Sequence, residues 1–206
     1  MIPETAVSRR ELLRRLGMAG AAALALPELT RVLAFQRDAV RTGAVPAGVL
    51  SAGEAAALAA VCARIIPTDD TGPGGAEARA SVYIDRALGG WLAPSRDDYV
   101  TGLAGIDGAA RARAGAPFAE LAPAEQDAVL AGIEGTPFFG LVRAHTIQGT
   151  FCDPVYGGNA DFVGWDLIGY PGVRLNVTAA DQRMGAPPTP VRRSAYDYAM
   201  FAAGAH

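Results

Sequence analysis

The side chains that could do chemistry in this chain are few and lie far apart. The reactive types are two cysteines, Cys62 and Cys152, and two histidines, His145 and His206. A Ser-His-Asp site needs a nucleophile on a sharp turn, and no GxSxG pattern accompanies His145. Zinc or haem attachment needs closely spaced ligands, such as CxxC, HxxxH or CxxCH, and the sequence has none of these. The residues therefore do not predict a catalytic or metal site.

Glycines and carboxylates give equally weak indications of chemistry. The glycine pairs at 74–75 and 157–158 lack the GxGxxG spacing and the preceding strand of a dinucleotide site. Asp153, Asp161 and Asp166 are spread along one predicted loop. A glycosidase pair among them remains an alternative, although nothing in their spacing favours it.

The elements that would position these residues are predicted to be helices. Half of the chain is apolar but only 7% is aromatic, so alanine, the strongest helix former, supplies much of the apolar content. Ser51 and Glu54 form the pattern of a capping box, which predicts a helix start. The predicted helices cover about 51–66, 77–88, 95–114, 121–133 and 136–149.

Two of the reactive side chains fall on apolar helix faces. Cys62 shares a stripe with Leu58 and Ile65, which predicts an inert thiol in the core. His145 lies on the apolar face of the last helix, which favours a hydrogen-bonded histidine in the core or at an interface over a catalytic one. The acidic pair at 69–70 lacks the spacing of a calcium loop, so we expect a solvated loop there.

After Gly149 the helical pattern ends. Residues 150–176 are rich in glycine and aromatic residues with little periodicity, and Pro187, Pro188 and Pro190 follow in the tail. We therefore predict a mainly α fold, in which a small helical domain is followed by a long glycine- and aromatic-rich loop and an extended C-terminal tail.

The N-terminus carries the pattern of a twin-arginine export signal. Two adjacent arginines are followed by apolar residues and then by a mild apolar run at 16–26, about half of the ~20 residues that a membrane-crossing helix needs. The alternative is an amphipathic helix that happens to contain adjacent arginines. The residues of the predicted signal are Ser8, Arg9, Arg10, Leu12 and Leu13. We divide the chain into a signal and linker at 1–34 and one helical domain at 35–206.

Charge and hydropathy exclude two classes of function. The formal net charge is −3, which argues against a general nucleic-acid binder. No apolar run after the signal is long enough to span a bilayer.

A twin-arginine signal also raises a question about cargo. The translocon that reads it exports folded proteins, usually ones that hold a cofactor, yet this sequence predicts no cofactor site. The simplest explanation is that the chain carries another protein, which holds the cofactor, to the periplasm.

One segment resembles a known family. Residues 151–172, the signature loop, read FCDPVYGGNADFVGWDLIGYPG, which is similar to the D-P-x-Y-G-G-N…G-W…G-[YF]-P-G pattern of the gluconate 2-dehydrogenase subunit 3 family. The run IIPTD at 65–69, with the glycine-rich loop after it, and the twin-arginine start also agree with the family.

The resemblance implies a small subunit of a heteromeric periplasmic dehydrogenase. The larger subunit would be an FAD-containing flavoprotein of the glucose-methanol-choline type that oxidises a sugar, sugar acid, polyol or glycoside. A multihaem c-type cytochrome subunit would pass the electrons on, and the complex can associate with the membrane. The small subunit would assist export, folding or stability of the flavoprotein and would hold no cofactor itself. An independent exported enzyme and a substrate-sensing binding module remain the alternatives.

The signature loop, within a longer interface loop at 150–176, is predicted to contact the partner. Large aromatic side chains are typical of binding hot spots, and glycines allow close approach of the backbone. The alternative is that the loop packs on its own helices with Trp165 buried. The predicted interface residues are Cys152, Asp153, Pro154, Tyr156, Gly157, Gly158, Asn159, Phe162, Trp165, Tyr170 and Pro171.

Cys152 is the least expected residue of this segment. In an oxidising compartment it is a candidate for a disulfide with the flavoprotein. Two free thiols and an internal bridge between Cys62 and Cys152 are the alternatives.

Overall fold

Helices joined by short turns form the described part of the chain, which in this computed structural model is residues 48–179, 181–183, 185 and 188–201. The predicted export signal at 1–34 lies outside these residues. The mainly α fold is confirmed, because no strand occurs among the residues described. The helices are α1 (Ala52–Ile65), α2 (Ala80–Leu88), α3 (Arg96–Ala114), α4 (Pro123–Ala131), α5 (Pro137–Phe151) and α6 (Val163–Leu167).

Helix α1 begins at the predicted capping box. The backbone N–H of Ser51 donates to Glu54 Oε2 at 2.8 Å, and the Ser51 hydroxyl accepts from the N–H of Glu54 at 3.4 Å. Leu58, Val61 and Cys62 are buried, as their helical spacing predicts. The predicted start of α1 and the predicted burial of Cys62 are therefore confirmed.

Helix α2 begins three residues later than the predicted Glu77. Arg79 has a φ of 54°, a left-handed conformation that a helix cannot contain. Glu77 instead closes the preceding loop, because its Oε2 accepts from the N–H of Gly74 at 2.9 Å and from the Thr68 hydroxyl at 2.6 Å. Because Glu77 bonds to the loop before it, helical periodicity cannot show where α2 begins.

Helix α5 packs on α2 and leads into the signature loop. Its start is capped by the Thr136 hydroxyl, which accepts from the N–H of Phe139 at 3.2 Å. Its buried face carries Val142, His145 and Thr146 and packs closely on α2. The end of α5 at Phe151 leads directly into the signature loop, so α5 fixes where that loop starts.

The remaining helices close the core around α1. Tyr99, Leu103 and Ile106 of α3 are all fully buried, and Phe118 follows in a short 3-10 turn. No helix among the residues described is both long and apolar enough to cross a membrane.

Candidate functional site

The signature loop is organised around the buried side chain of Asn159, which is 0% exposed. Its Nδ2 donates to the carbonyl of Cys152 at 2.8 Å, and its Oδ1 accepts from the N–H of Gly164 at 2.8 Å. Its own N–H donates to the carbonyl of Gly149 at 2.8 Å. One residue thus joins the end of α5, the middle of the loop and the start of α6.

The glycines of the loop permit close backbone contacts. A Cβ on Gly158 would collide with the carbonyl of Gly149, and one on Gly164 would collide with the carbonyl of Thr150. Both collisions involve backbone atoms of α5, which cannot move aside as a flexible side chain could. The loop therefore packs against α5 at a distance that only glycine allows.

Trp165 packs inside the chain's own fold and is 6% exposed. Its Nε1 donates to the carbonyl of Phe151 at 3.1 Å, and its ring lies 4.9 Å from that of Tyr170 in an edge-on arrangement. Phe162 contacts the same indole at 5.2 Å between ring centroids. Tyr170 itself is exposed. Trp165 therefore fits the alternative in which the loop packs on its own helices, while Phe162 and Tyr170 keep part of their surface exposed.

Asp153 connects the loop to the C-terminal strap, which we define as residues 188–201. One carboxylate oxygen accepts from the Ser194 hydroxyl at 2.6 Å and the other accepts from the N–H of Ala195 at 2.8 Å. The hydroxyls of Tyr156 and Tyr196 lie 3.1 Å apart. The described part of the predicted extended tail therefore runs back along the signature loop.

Further contacts hold the strap along its length. The N–H of Val191 donates to the carbonyl of Pro171 at 2.8 Å, and the Tyr198 hydroxyl donates to the carbonyl of Val173 at 2.9 Å. Arg192 pairs with Asp166 at the surface.

The structure places the predicted interface residues in three settings, and their contact with a partner stays a prediction. Gly158, Asn159 and Trp165 are buried within the chain. Tyr170 is exposed. The partly buried residues are Cys152, Asp153, Pro154, Tyr156, Gly157, Phe162 and Pro171.

Beside the loop lies a cleft of about 410 Å³, the aromatic cleft, which the sequence did not predict. Its residues come from separate elements: α2, the turn after it, α5 and the loop. Helical periodicity places none of them at a common site, and Trp91, which is half-buried and follows two glycines at 89–90, was the one hint in the sequence. The lining residues are Tyr83, Trp91, Ile147, Gln148, Phe151, Cys152 and Tyr156.

Both thiols are free in this structure. Cys62 lies 3.4 Å from the Thr146 hydroxyl in the core, and burial raises its pKa to about 12, as expected for an inert thiol. Burial also raises the pKa of Cys152 to about 12, and its Sγ donates to the carbonyl of Gly149 at 3.6 Å. The disulfide of Cys152 with a partner stays a prediction.

His145 is the hydrogen-bonded core histidine that its position predicts. Its Nδ1 lies 2.9 Å from the Tyr99 hydroxyl, and the two rings stack with centroids 5.9 Å apart. Burial lowers the pKa of His145, which favours the neutral ring. Among the residues described, no three His, Cys, Asp or Glu side chains converge as a metal site would require.

A family model described as gluconate 2-dehydrogenase subunit 3 matches residues 52–172, more than half of the chain. The chain belongs to this family. The match begins with the first residue of α1 and ends with the last residue of the signature loop, so the strap lies beyond it. Neither a search of curated proteins nor one of solved structures finds a match.

Membership of the gluconate 2-dehydrogenase subunit 3 family makes the chain a small subunit of a dehydrogenase complex. It implies association with a larger dehydrogenase subunit. The family's characteristic loop is the part of this structure in which Asn159, the close-packed glycines and Asp153 are concentrated.

Proposed function

We propose that this chain is a non-catalytic accessory subunit that stabilises a larger FAD-dependent flavoprotein and takes it to the periplasm through the twin-arginine translocon. The flavoprotein, of the glucose-methanol-choline type, holds FAD and oxidises a sugar, sugar acid, polyol or glycoside. A c-type cytochrome subunit accepts the electrons and links the complex to the membrane. One observation carries the proposal: the family match at 52–172 follows Arg9 and Arg10 in the same chain.

The distribution of apolar surface supports a partner-binding role. The five most exposed large apolar side chains among the described residues all follow α6, either between α6 and the strap or at the end of the strap. Large apolar side chains that a fold leaves exposed are candidate contacts for another protein. These side chains are Ile168, Leu175, Val177, Met200 and Phe201.

The carrier role can be tested by altering this chain and then following the location of the flavoprotein, which is not altered. We expect Arg9→Lys with Arg10→Lys to leave the unaltered flavoprotein in the cytoplasm, since the pair would be the only address that the complex carries. Cell fractionation followed by immunoblotting of the flavoprotein measures this.

The matched control is the double change Arg37→Lys with Arg41→Lys, which alters two arginines that follow the predicted signal at 1–34. It should leave export intact. Arrival of the flavoprotein in the periplasm despite the altered Arg9 and Arg10 would contradict the carrier role. Sugar oxidation by the isolated chain would contradict the non-catalytic role.

A further inference from the structure

The aromatic cleft has preformed walls and an apolar rim. The ring centroids of Tyr83 and Trp91 lie 5.9 Å apart, and those of Trp91 and Tyr156 are also 5.9 Å apart. The Tyr83 hydroxyl donates to Gln148 Oε1 at 3.3 Å, which fixes the first ring against α5. Ile147, on the same helix, is 37% exposed. A cleft of about 410 Å³ is large enough to enclose an inserted side chain.

Two arginines lie beside this cleft. Arg86 lies against Gly157, next to Tyr156, and a Cβ on that glycine would collide with its guanidinium group. Arg143 is exposed on α5 one turn before Ile147, so the two side chains share a face. Neither arginine forms an ion pair with another described residue.

The nearby carboxylates accept hydrogen bonds from neutral groups and do not pair with these arginines. Asp153 accepts from Ser194 and Ala195, as described above. Asp85, adjacent to Arg86 in sequence, accepts from the N–H groups of Val49 and Leu50 at 2.8 and 3.0 Å. Helix α5 contains no acidic residue at all. Asp85 and Asp153 keep their own negative charge, but neither forms an ion pair with Arg86 or Arg143 in the described part of the chain, so both guanidinium groups can pair with a carboxylate that an occupant brings.

We propose that the aromatic cleft is the docking site for a segment of the larger dehydrogenase subunit. That segment inserts one apolar or aromatic side chain between Trp91 and Ile147 and places an Asp or Glu beside Arg86 or Arg143. The inference rests on the proposed function, because it needs a larger subunit to bind. The chain's own residues 1–47 are a poor occupant, since they carry seven arginines against four acidic residues.

Site-specific photo-crosslinking identifies the occupant. A photoreactive phenylalanine analogue replaces Ile147 in the full chain, which is co-expressed with the larger subunit, and mass spectrometry locates the crosslink. Val100 on α3, which is 40% exposed, is the matched control position. We expect position 147 to crosslink to an apolar residue close to an acidic one in the larger subunit. A crosslink to a second copy, to residues 1–47 or to the cytochrome subunit would overturn the proposal.

Two substitutions test the apolar and the charged parts of the site separately. Ile147→Glu and Arg143→Glu should each weaken binding of the larger subunit about tenfold or more, measured as Kd with the full chain. Val100→Glu and Arg113→Glu, at exposed positions on α3, should change it less than about twofold. Thermal unfolding of each variant confirms that it is folded.

The outcomes separate this inference from the proposed function. If the larger subunit binds the unaltered chain, and Ile147→Glu and Arg143→Glu bind equally well, the docking site is wrong and the accessory role stands. If the larger subunit does not bind the unaltered chain, both are overturned.

Discussion

At the scale of single residues, Asn159 stabilises the signature loop through both its side chain and its backbone conformation. It satisfies one carbonyl and one N–H through its side chain while its backbone holds a φ of 45°. Asn adopts the left-handed region more readily than other non-glycine residues, so one residue type meets both demands. The family's loop is therefore maintained by a buried polar side chain rather than by apolar packing alone.

Two substitutions separate these roles of Asn159. Asn159→Gly removes the side-chain hydrogen bonds but keeps the backbone conformation free of strain, and should cost about 2 kcal/mol of unfolding free energy. Asn159→Ala should cost about 1 kcal/mol more, because its Cβ disfavours a positive φ. Urea unfolding measures both, with the exposed Asn176→Ala as control. An Asn159→Gly variant as stable as the unaltered chain would refute the argument.

At the scale of elements, the contact of α5 with α2 depends on one glycine. A Cβ on Gly149 would lie 2.9 Å from both the carbonyl of Ala80 and the ring of Tyr83. These two helices make the most extensive contact in the fold and form one wall of the aromatic cleft. Their separation therefore also sets how Tyr83 and Gln148 lie together in that wall.

A pair of glycine substitutions on α5 tests this contact. Gly149→Ala should destabilise the chain by about 1–2 kcal/mol, because overpacking outweighs the higher helix propensity of alanine. Gly140→Ala, where an added Cβ meets nothing within 4 Å, should stabilise it by about 0.5–1 kcal/mol. Thermal unfolding measures both, and a Gly149→Ala variant that is stabilised as Gly140→Ala is would show that Gly149 is not a close contact.

The sequence predicted elements whose determinants are local and missed those that depend on distant residues. Ser51 and Glu54 are three positions apart, so the start of α1 could be predicted from pattern alone. The start of α2 could not, because Glu77 bonds backward to the Gly74 loop instead of entering the helix. The cleft was missed for a stronger reason: Tyr83 and Gln148 are 65 residues apart and meet only after α2 packs on α5.

At the scale of the whole molecule, stability should depend on the protonation of His145. Burial lowers its pKa below the ordinary value of 6.5, so the folded chain resists a proton that the unfolded chain accepts. Its contribution is complete above that value and is lost as the pH falls through the folded pKa. Glu54, Asp127 and other carboxylates whose pKa hydrogen bonds lower titrate further into acid.

This predicts that the unfolding free energy falls as the pH drops below about 6.5, with a slope of at most about 1.4 kcal/mol per pH unit. His145→Gln should abolish the slope in that range, since glutamine can still accept from the Tyr99 hydroxyl but does not titrate. His206→Gln, the only other histidine, should leave it unchanged. Urea unfolding across this range decides it, and an unaltered slope in His145→Gln would exclude this histidine.

The strap has a consequence for the order in which the chain matures. Ser194 is polymerised 41 residues after the Asp153 carboxylate that accepts its hydroxyl. The ribosome therefore makes the loop before it makes the residues that complete it, and the bond between Asp153 and Ser194 can form only late in synthesis, long after Arg9 and Arg10 have been made. The N-terminal arginines are therefore made early and folding finishes late, which is compatible with the proposed export pathway, since that pathway accepts only folded proteins.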